Sequence, residues 1–364
     1  MFAITKGEVG GAQEHLRILA QGLVERGNQV ALVVSPGSDL EDRAMAFGVT
    51  TYPWPSISPT ASPLSNLSAR AELRAAVKEW RPDILHLYSS VAGAVGTGIL
   101  RPPKGATIFT CHHAAFGKGR TWKHRALARP VAQLTFPRMD GIISDGARDL
   151  KAIANLARNV PLALVRNTVP VSGPPLTDGR LRPKAIWVAR MAAPKDPMLA
   201  VAAWERVAES ISATQLTFCG TGPLEKDLRS RVEKSPAFSS MFVAGFVADT
   251  KPLIADSSIF LLVSRIEGGT SMATLEAMAQ GLVPVVTDVG DADLLVQNES
   301  GVVVDSDPDS IAEGVIRLLS DPERYARLRE NAMAFVRDRT VDHFIDETLE
   351  FYHRVMNQSR AGIR

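Results

Sequence analysis

Residues Phe260 to Val286 read FLLVSRIEGGTSMATLEAMAQGLVPVV, and this stretch decides the fold. An apolar, β-rich run from Ile259 to Val263 stops at Ser264. The small residues Gly268, Gly269, Thr270 and Ser271 follow, and Met272 to Gln280 then consists mostly of helix formers. The pattern predicts strand, glycine-rich turn and helix, with another strand from Val283 to Thr287. Such a turn leaves several backbone N–H groups unpaired at a helix N-terminus, where the dipole favours an anion and glycines admit a ligand close to the backbone. A phosphorylated ligand therefore fits at Gly269, Thr270 and Ser271. Glu276 falls inside the helix, where a carboxylate is better suited to accepting hydrogen bonds from hydroxyls than to facing phosphate. Together with Glu267 it suggests a nucleotide sugar, with diphosphate on the backbone and sugar or ribose hydroxyls on carboxylates. The bland alternative is a solvated Glu in an Ala/Met/Leu helix.

Working outward, the same alternation of strand and helix fills the chain. Met1 to Ile4, Val30 to Val34, Ile84 to Leu87, Thr107 to Thr110, Gly141 to Ile143 and Leu162 to Val165 read as strands. Between them Ala12 to Arg26 places Leu16, Leu19, Leu23 and Val24 on one helical face before Gly27. Ala69 to Trp80 and Arg148 to Leu156 are helical as well. The second half repeats the pattern with strands at Ala185 to Val188, Thr217 to Cys219, Met241 to Val243, Ile259 to Val263, Val283 to Thr287 and Gly301 to Val304. The expected fold is α/β, with two doubly wound parallel sheets. Residues 170–183, PVSGPPLTDGRLRP, are too rich in proline and glycine for periodicity and read as a linker. The organisation is thus an N-terminal domain over 1–169, a linker over 170–183 and a C-terminal domain over 184–340. A final helix within 341–364, carrying Phe344, Ile345, Leu349, Phe351 and Tyr352, packs back on the first domain. Two such domains are expected to face one another across a cleft.

Composition fits this frame. At 364 residues, 45% hydrophobic and 22% charged, the chain can bury cores for about two domains. Cys111 and Cys219 lie far apart in apolar runs, which argues against a disulfide framework or a thiolate metal site and fits a reducing compartment. No apolar stretch approaches the ~20 residues of a spanning helix, and the N-terminus lacks the pattern of an export signal. The formal charge of +2 hides an asymmetry: residues 1–180 carry 21 Lys and Arg against 13 Asp and Glu, while residues 181–364 carry 20 against 26. Much of the basic excess is Lys118, Arg120, Lys123, Arg125 and Arg129, interleaved with His124 and flanked by Phe116, Trp122 and Phe136. That composition suits an anionic membrane surface, and a solvated basic loop explains it equally well. No nucleic-acid motif accompanies it.

Several short elements fall at strand ends. Arg190 and Lys195, in VARMAAPKDP, put two cations on one loop beside a helix start, a clamp for a diphosphate. A tight turn at Gly220 to Pro223 ends the next strand, and such turns more often serve backbone geometry than ligands. Gly10 and Gly11 precede a helix and suit phosphate or acceptor approach, but fall short of a dinucleotide fingerprint. His112 and His113 follow the strand at Thr107 to Thr110, where an imidazole can meet a sugar hydroxyl or a reacting group, or simply pack. His86, near a strand end in DILHLYS, reads as a packed or surface residue. No Cys, His and carboxylate spacing supports zinc, so no metal is expected.

In this order, GGAQEHL from Gly10, DILHLYS, FTCHH, VARMAAPKDP, CGTGP, GFVAD and EGGTSMATLEAMAQGLVPVVTDVG resemble the retaining glycosyltransferases of family 4, which have the two-domain GT-B fold. The likeness spans nearly the whole chain. It implies transfer of a sugar from a UDP-, GDP- or ADP-sugar, with retention at the anomeric carbon, without a metal and without a further cofactor. It further implies that Arg190 and Lys195 hold the diphosphate, with Gly11 and Gly220 near the donor, that Glu276 binds the ribose, and that His112 and Glu267 lie near the transferred sugar. One departure stands out: eight residues separate Glu267 from Glu276, where the family usually has seven. Glu267 is the preferred first glutamate, with one extra residue in the turn. The resemblance and the basic first domain together imply a glycan or lipid-linked acceptor in surface-polysaccharide synthesis, and a cytoplasmic protein at the inner membrane face. A nucleotide-sugar epimerase and a non-catalytic nucleotide-sugar binder remain as other readings.

Overall fold

The apolar runs of the sequence become strands of two separate parallel sheets. The computed structural model describes residues 1–8, 10–58, 63–99, 105–113 and 122–360, without the side chains of residues 63–65, 123–125, 127 and 360. By its contacts the chain divides into one unit made of Met1–Asn167 and Val341–Arg364, and a second made of Thr168–Thr340.

Among the described residues, the first unit contains β1 (Phe2–Ala3), β2 (Ala31–Val34), β3 (Thr50–Pro53), β4 (Ile84–Leu87), β5 (Ala106–Cys111), β6 (Gly141–Ser144) and β7 (Leu162–Leu164). They lie in the order β3-β2-β1-β4-β5-β6-β7. Every pairing is parallel, with Phe2 opposite both Leu32 and His86. Its helices begin with Gly11–Glu25, one residue earlier than the sequence pattern indicates, with Gly10 as the cap. Strand β3 is absent from the sequence reading: its TTYP run is short, half-exposed and ends in proline, so no apolar periodicity marks this edge. From Trp122 onward the basic stretch differs from the loop considered above, because Trp122–Thr135 is a helix with Pro130 inside it. Phe136 is buried rather than displayed, its ring 5.7 Å from that of Phe109.

The C-terminal helix Val341–Arg360 belongs to this first unit and packs on helix Gly11–Glu25. Glycine makes the approach close enough: a Cβ on Gly22 would stand 1.7 Å from Ile345 Cδ1. Phe344, Ile345, Phe351, Tyr352 and Val355 are all buried in consequence.

The second unit holds β8 (Lys184–Val188), β9 (Gln215–Cys219), β10 (Met241–Gly245), β11 (Ile259–Leu262), β12 (Val283–Thr287) and β13 (Val302–Val304), in the order β10-β9-β8-β11-β12-β13. All pairings are again parallel. Its core gathers Trp187, Trp204, Phe218 and Leu261 with the apolar face of helix Pro308–Leu319. Residues 170–183 contain no helix or strand, and Arg329 donates to the Thr177 carbonyl at 3.1 Å within this unit. Both cysteines are free and buried, and burial pushes the Cys219 thiol up to about 11. Among the described residues no helix is long and apolar enough to cross a membrane.

Each strand order reverses once, between β1 and β4 and between β8 and β11. Chain leaving neighbouring strands on opposite sides of such a point opens a crevice at their carboxyl ends. The segments placed there are residues after Ala3 and Leu87 in one unit, and after Val188 and Leu262 in the other.

Candidate active site

In the second unit the loop after β8 lies along the chain leaving β11. Lys195 forms a single antiparallel bridge with Ser264, and the N–H groups of Asp196 and Arg265 donate to the Val263 and Pro194 carbonyls, each at 3.0 Å. Two ion pairs cross the same seam. The Lys195 ammonium meets the Glu267 carboxylate, with side chains 18% and 15% exposed. Arg265 reaches Asp196 at 2.6 Å, while Asp196 also caps helix Pro197–Ser210 by accepting from the Leu199 N–H. Arg190, one turn earlier, is exposed, and no ion pair to it is found among the described residues. The structure therefore brings Lys195 and Glu267 together, with a second cation close by in sequence.

The glycine-rich turn ends in helix Met272–Ala279, as its composition dictates. Ser271 is the cap: its Oγ accepts from the Thr274 N–H at 3.2 Å and sits 2.8 Å from Thr274 Oγ1. Capping uses the Ser271 hydroxyl and leaves the first-turn N–H groups of Met272 and Ala273 without intrahelical partners. The turn is anchored from β12, where Thr287 Oγ1 accepts from the Ser264 N–H at 3.0 Å and donates to its carbonyl at 2.7 Å. A small hollow, open to solvent, lies here, lined by Glu267, Gly269, Thr270, Ser271, Thr274 and Thr287 over an apolar floor that includes Leu262 and Val286. Glu276 is exposed on the helix, whereas Met272, Leu275 and Met278 are buried.

Gly220 has a backbone role. It adopts φ +131°, a Cβ there would stand 2.0 Å from the Ala189 carbonyl oxygen, and its N–H is committed to the Gly245 carbonyl at 2.7 Å. It lets the turn after β9 close against the loop that carries Arg190. Gly11 is the exposed first residue of its helix, in the first unit.

The first unit presents a different assembly, of rings. His112, just past β5, has Nδ1 3.2 Å from Asp145 Oδ2, and Asp145 stands just past the neighbouring β6. Asn167 Nδ2 donates to the same oxygen at 3.3 Å. The His15 ring packs edge-on against His112 with centroids 5.0 Å apart, and the Tyr88 ring lies 5.4 Å from His112. Tyr88 Oη is 3.2 Å from His15 Nδ1. Deeper in, His86 has both ring nitrogens engaged, 2.6 Å from Tyr352 Oη and 2.6 Å from Thr110 Oγ1. His86 is thus a packed residue. Burial holds His15 and His86 well below the ordinary imidazole range, and the nearby His112 adds to the effect on both. Burial likewise raises the Tyr88 phenol well above its ordinary value.

Of these groups His15, Tyr88, Asp145 and Asn167 were not singled out from sequence, and Tyr352 was named only for helix packing. Asp145 carried the one usable signal, since it follows a strand as closely as His112 does. Of the basic cluster, Lys118 and Arg120 lie outside the described residues, as do the side chains of Lys123 and Arg125. The helix after them shows Trp122 69%, Leu134 62% and Val131 45% exposed.

Two Rossmann-like units with loops of this kind at their switch points define the GT-B architecture, and comparison with known proteins gives the family. The chain belongs to Glycosyltransferase Family 4, whose model matches residues 9–191, half of the chain. The model for Glycosyl transferases group 1 matches residues 182–321. The chain is 22% identical over 167 residues to the poly(glycerol-phosphate) alpha-glucosyltransferase of Bacillus subtilis, a match covering 45% of this chain and 24% of that protein. Its fold resembles Anabaena HepE, solved in complex with UDP and glucose (TM-score 0.79, 16% identity, 96% of this chain and 97% of that one). It also resembles the sucrose-phosphate synthase of Thermosynechococcus elongatus (TM-score 0.79, 17% identity, 98% and 99%).

Proposed function

We propose that this glycosyltransferase moves a sugar from a nucleoside-diphosphate sugar to a glycan or lipid-linked acceptor, with retention at the anomeric carbon. The observation that carries the reading is the seam between β8 and β11. It pairs the Lys195 ammonium with the Glu267 carboxylate, and Glu267 in turn lines a hollow together with Gly269, Thr270 and Ser271, the cap of a helix start. A diphosphate would displace Glu267 as the partner of Lys195, with Arg190 and the N–H groups of Met272 and Ala273 meeting its remaining charge. Glu267, released, accepts from hydroxyls of the sugar, and exposed Glu276 accepts from the ribose. As the bond from the anomeric carbon to the diphosphate oxygen lengthens, positive charge grows on the sugar and negative charge on the leaving group. Preorganised cations and N–H groups stabilise that leaving group, an effect worth about 3–4 kcal/mol for each well-placed donor. The role taken by a metal in other transferases falls here to Arg190 and Lys195.

HepE, a neighbour in fold, was solved with UDP and glucose, which makes a UDP-sugar the first donor to try. The Bacillus subtilis relative is named for a poly(glycerol-phosphate) acceptor, which supports a surface polymer as product. Cytoplasmic placement at an anionic membrane face, through Lys118, Arg120, Lys123 and Arg125 with exposed Trp122, completes the reading. Charge removal at those four positions should abolish liposome binding.

The decisive experiment is a thermal-shift screen against UDP, GDP and ADP and their sugar conjugates, followed by product analysis. A rise with one nucleotide family, and sugar transfer that persists in excess EDTA, is expected. An isomerised donor formed without acceptor would point instead to an epimerase, binding without turnover to a scaffold, and no shift at all would overturn the proposal.

A further inference from the structure

The hollow beside Glu267 has a chemistry of its own, and every wall of it belongs to the second unit. Its floor is aliphatic: Leu262, Val286, Ala292 and Leu295 are buried there, with Val289 half-buried beside them. The hydroxyls around that floor are largely spent. Thr287 Oγ1 accepts from the Ser264 N–H and donates to the Ser264 carbonyl, so its one proton is committed elsewhere. Ser271 Oγ and Thr274 Oγ1 bond to each other at 2.8 Å, and Ser271 Oγ also accepts from the Thr274 N–H. Two hydroxyls so joined use one of their two protons and keep one O–H to give. The wall is closely fitted as well. Gly290 adopts φ +58°, and a Cβ there would stand 2.5 Å from the Gly269 carbonyl oxygen and 3.0 Å from Glu267 Cβ, so the chain after β12 presses on the turn that carries Glu267.

We propose that this hollow receives the acetamido group of an N-acetylated amino sugar. The inference rests on the sugar-transfer reading above and narrows its donor to a nucleoside-diphosphate N-acetylhexosamine. Each part of an acetamido group meets its complement. Water finds few partners over five aliphatic side chains, whereas a methyl group needs none and covers them. The amide N–H donates to the Glu267 carboxylate, and the amide carbonyl accepts the O–H left by the Ser271 and Thr274 pair. A plain hydroxyl at the same carbon reaches Glu267 but leaves the floor facing water. A free amine, protonated at neutral pH, lays an ammonium over aliphatic side chains. A longer acyl chain has no room in so small a hollow.

The test uses the full-length protein with ¹³C-labelled Leu and Val methyl groups, titrated with UDP, UDP-glucose and UDP-N-acetylglucosamine. The signals of Val286 and Leu295 are assigned by their loss in Val286→Ile and Leu295→Ile. UDP alone tests the sugar-transfer reading, and the difference between the two sugars tests the hollow; the same pair on GDP or ADP replaces it if one of those is the nucleotide that binds. All three ligands should raise the melting temperature, and the acetamido donor should move the Val286 and Leu295 methyl signals further than UDP-glucose does. In turnover, kcat/KM for the N-acetylhexosamine donor should exceed that for the hexose donor about 10–200-fold, the discrimination that one methyl-sized group commands in an apolar pocket. Ala292→Leu fills the floor and should erase that preference. Val289→Phe fills it from a half-buried position and should do the same, which keeps the test if the buried substitution folds poorly.

Equal use of the two sugars, equal methyl shifts with both, or a preference that survives both filling variants would overturn the proposal. No melting shift and no transfer with any UDP, GDP or ADP conjugate, hexose and N-acetylhexosamine alike, would place the failure in the sugar-transfer reading instead.

Discussion

In the second unit the site residues stand on loops tied to one another by ion pairs, Lys195 to Glu267 and Asp196 to Arg265, with Arg190 and Glu276 exposed beside them. In the first unit they are packed rings, His15, His86, Tyr88 and His112, closed by Tyr352 and Phe344 from a helix about 200 residues or more further along the chain. Charged loop groups can be altered while the sheet beneath them stays folded, because water replaces what is lost. Buried neutral rings have no such substitute. Function and stability are therefore separable in one unit and coupled in the other.

The sharpest way to break that contrast is Lys195→Ala. Turnover should fall about 10²–10³-fold as leaving-group stabilisation is lost. The melting temperature should change by only about 2 °C, measured by calorimetry. An equal loss of stability would show that the second-unit site is structural after all.

Gly220→Ala sharpens it from the other side. The new methyl meets the Ala189 carbonyl, and the residue is held at φ +131°, so destabilisation of about 3 kcal/mol is expected in urea titration. Tyr352→Phe removes the hydroxyl beside buried His86 Nδ1. It should cost about 2 kcal/mol, read in the same titration, with the first unit losing its hydrogen-exchange protection before the second.

Acid provides a fourth comparison. His15 and His86 have depressed values in the folded protein, so the unfolded chain binds more protons as pH falls past the ordinary imidazole value of about 6.5. The stability they confer is full above that pH and declines below it. Melting followed from pH 7.5 to pH 5 should show the first unit loosening while the second holds; uniform loss across both would contradict the assignment. The smallest effect belongs to Arg265→Ala, since its guanidinium is 68% exposed: a change within about 1 kcal/mol, with turnover little altered. A large loss there would mean that the seam, not Lys195 itself, carries the chemistry.

The sheets were legible because parallel strands buried on both faces write themselves as apolar runs, from Ala31–Val34 to Val283–Thr287. Edge strand Thr50–Pro53 was not, since half-exposed residues carry no such signature. Lys195 and Glu267 could each be singled out, but their pairing depends on loops 72 residues apart meeting at a switch point. Gly220 drew notice as a glycine after a strand, while its reason, the neighbouring carbonyl, is a property of packing. Asp145 and Asn167 passed unnoticed because a buried carboxylate and a buried amide look in sequence like any others. Their meaning comes from the imidazole they face.

The helix Val341–Arg360 has a consequence for how the molecule comes to exist. It supplies the hydroxyl that His86 meets and the ring against which His15 rests, yet it is synthesised after all of residues 168–340. The second unit, continuous in the chain, has all its parts before the first does. Until the last helix emerges from the ribosome, the first sheet waits with a seam open at His15 and Gly22, the kind of surface that chaperones shield and that aggregates when they do not. Any interruption of translation before residue 341 would thus release a product with one finished half and one that cannot close.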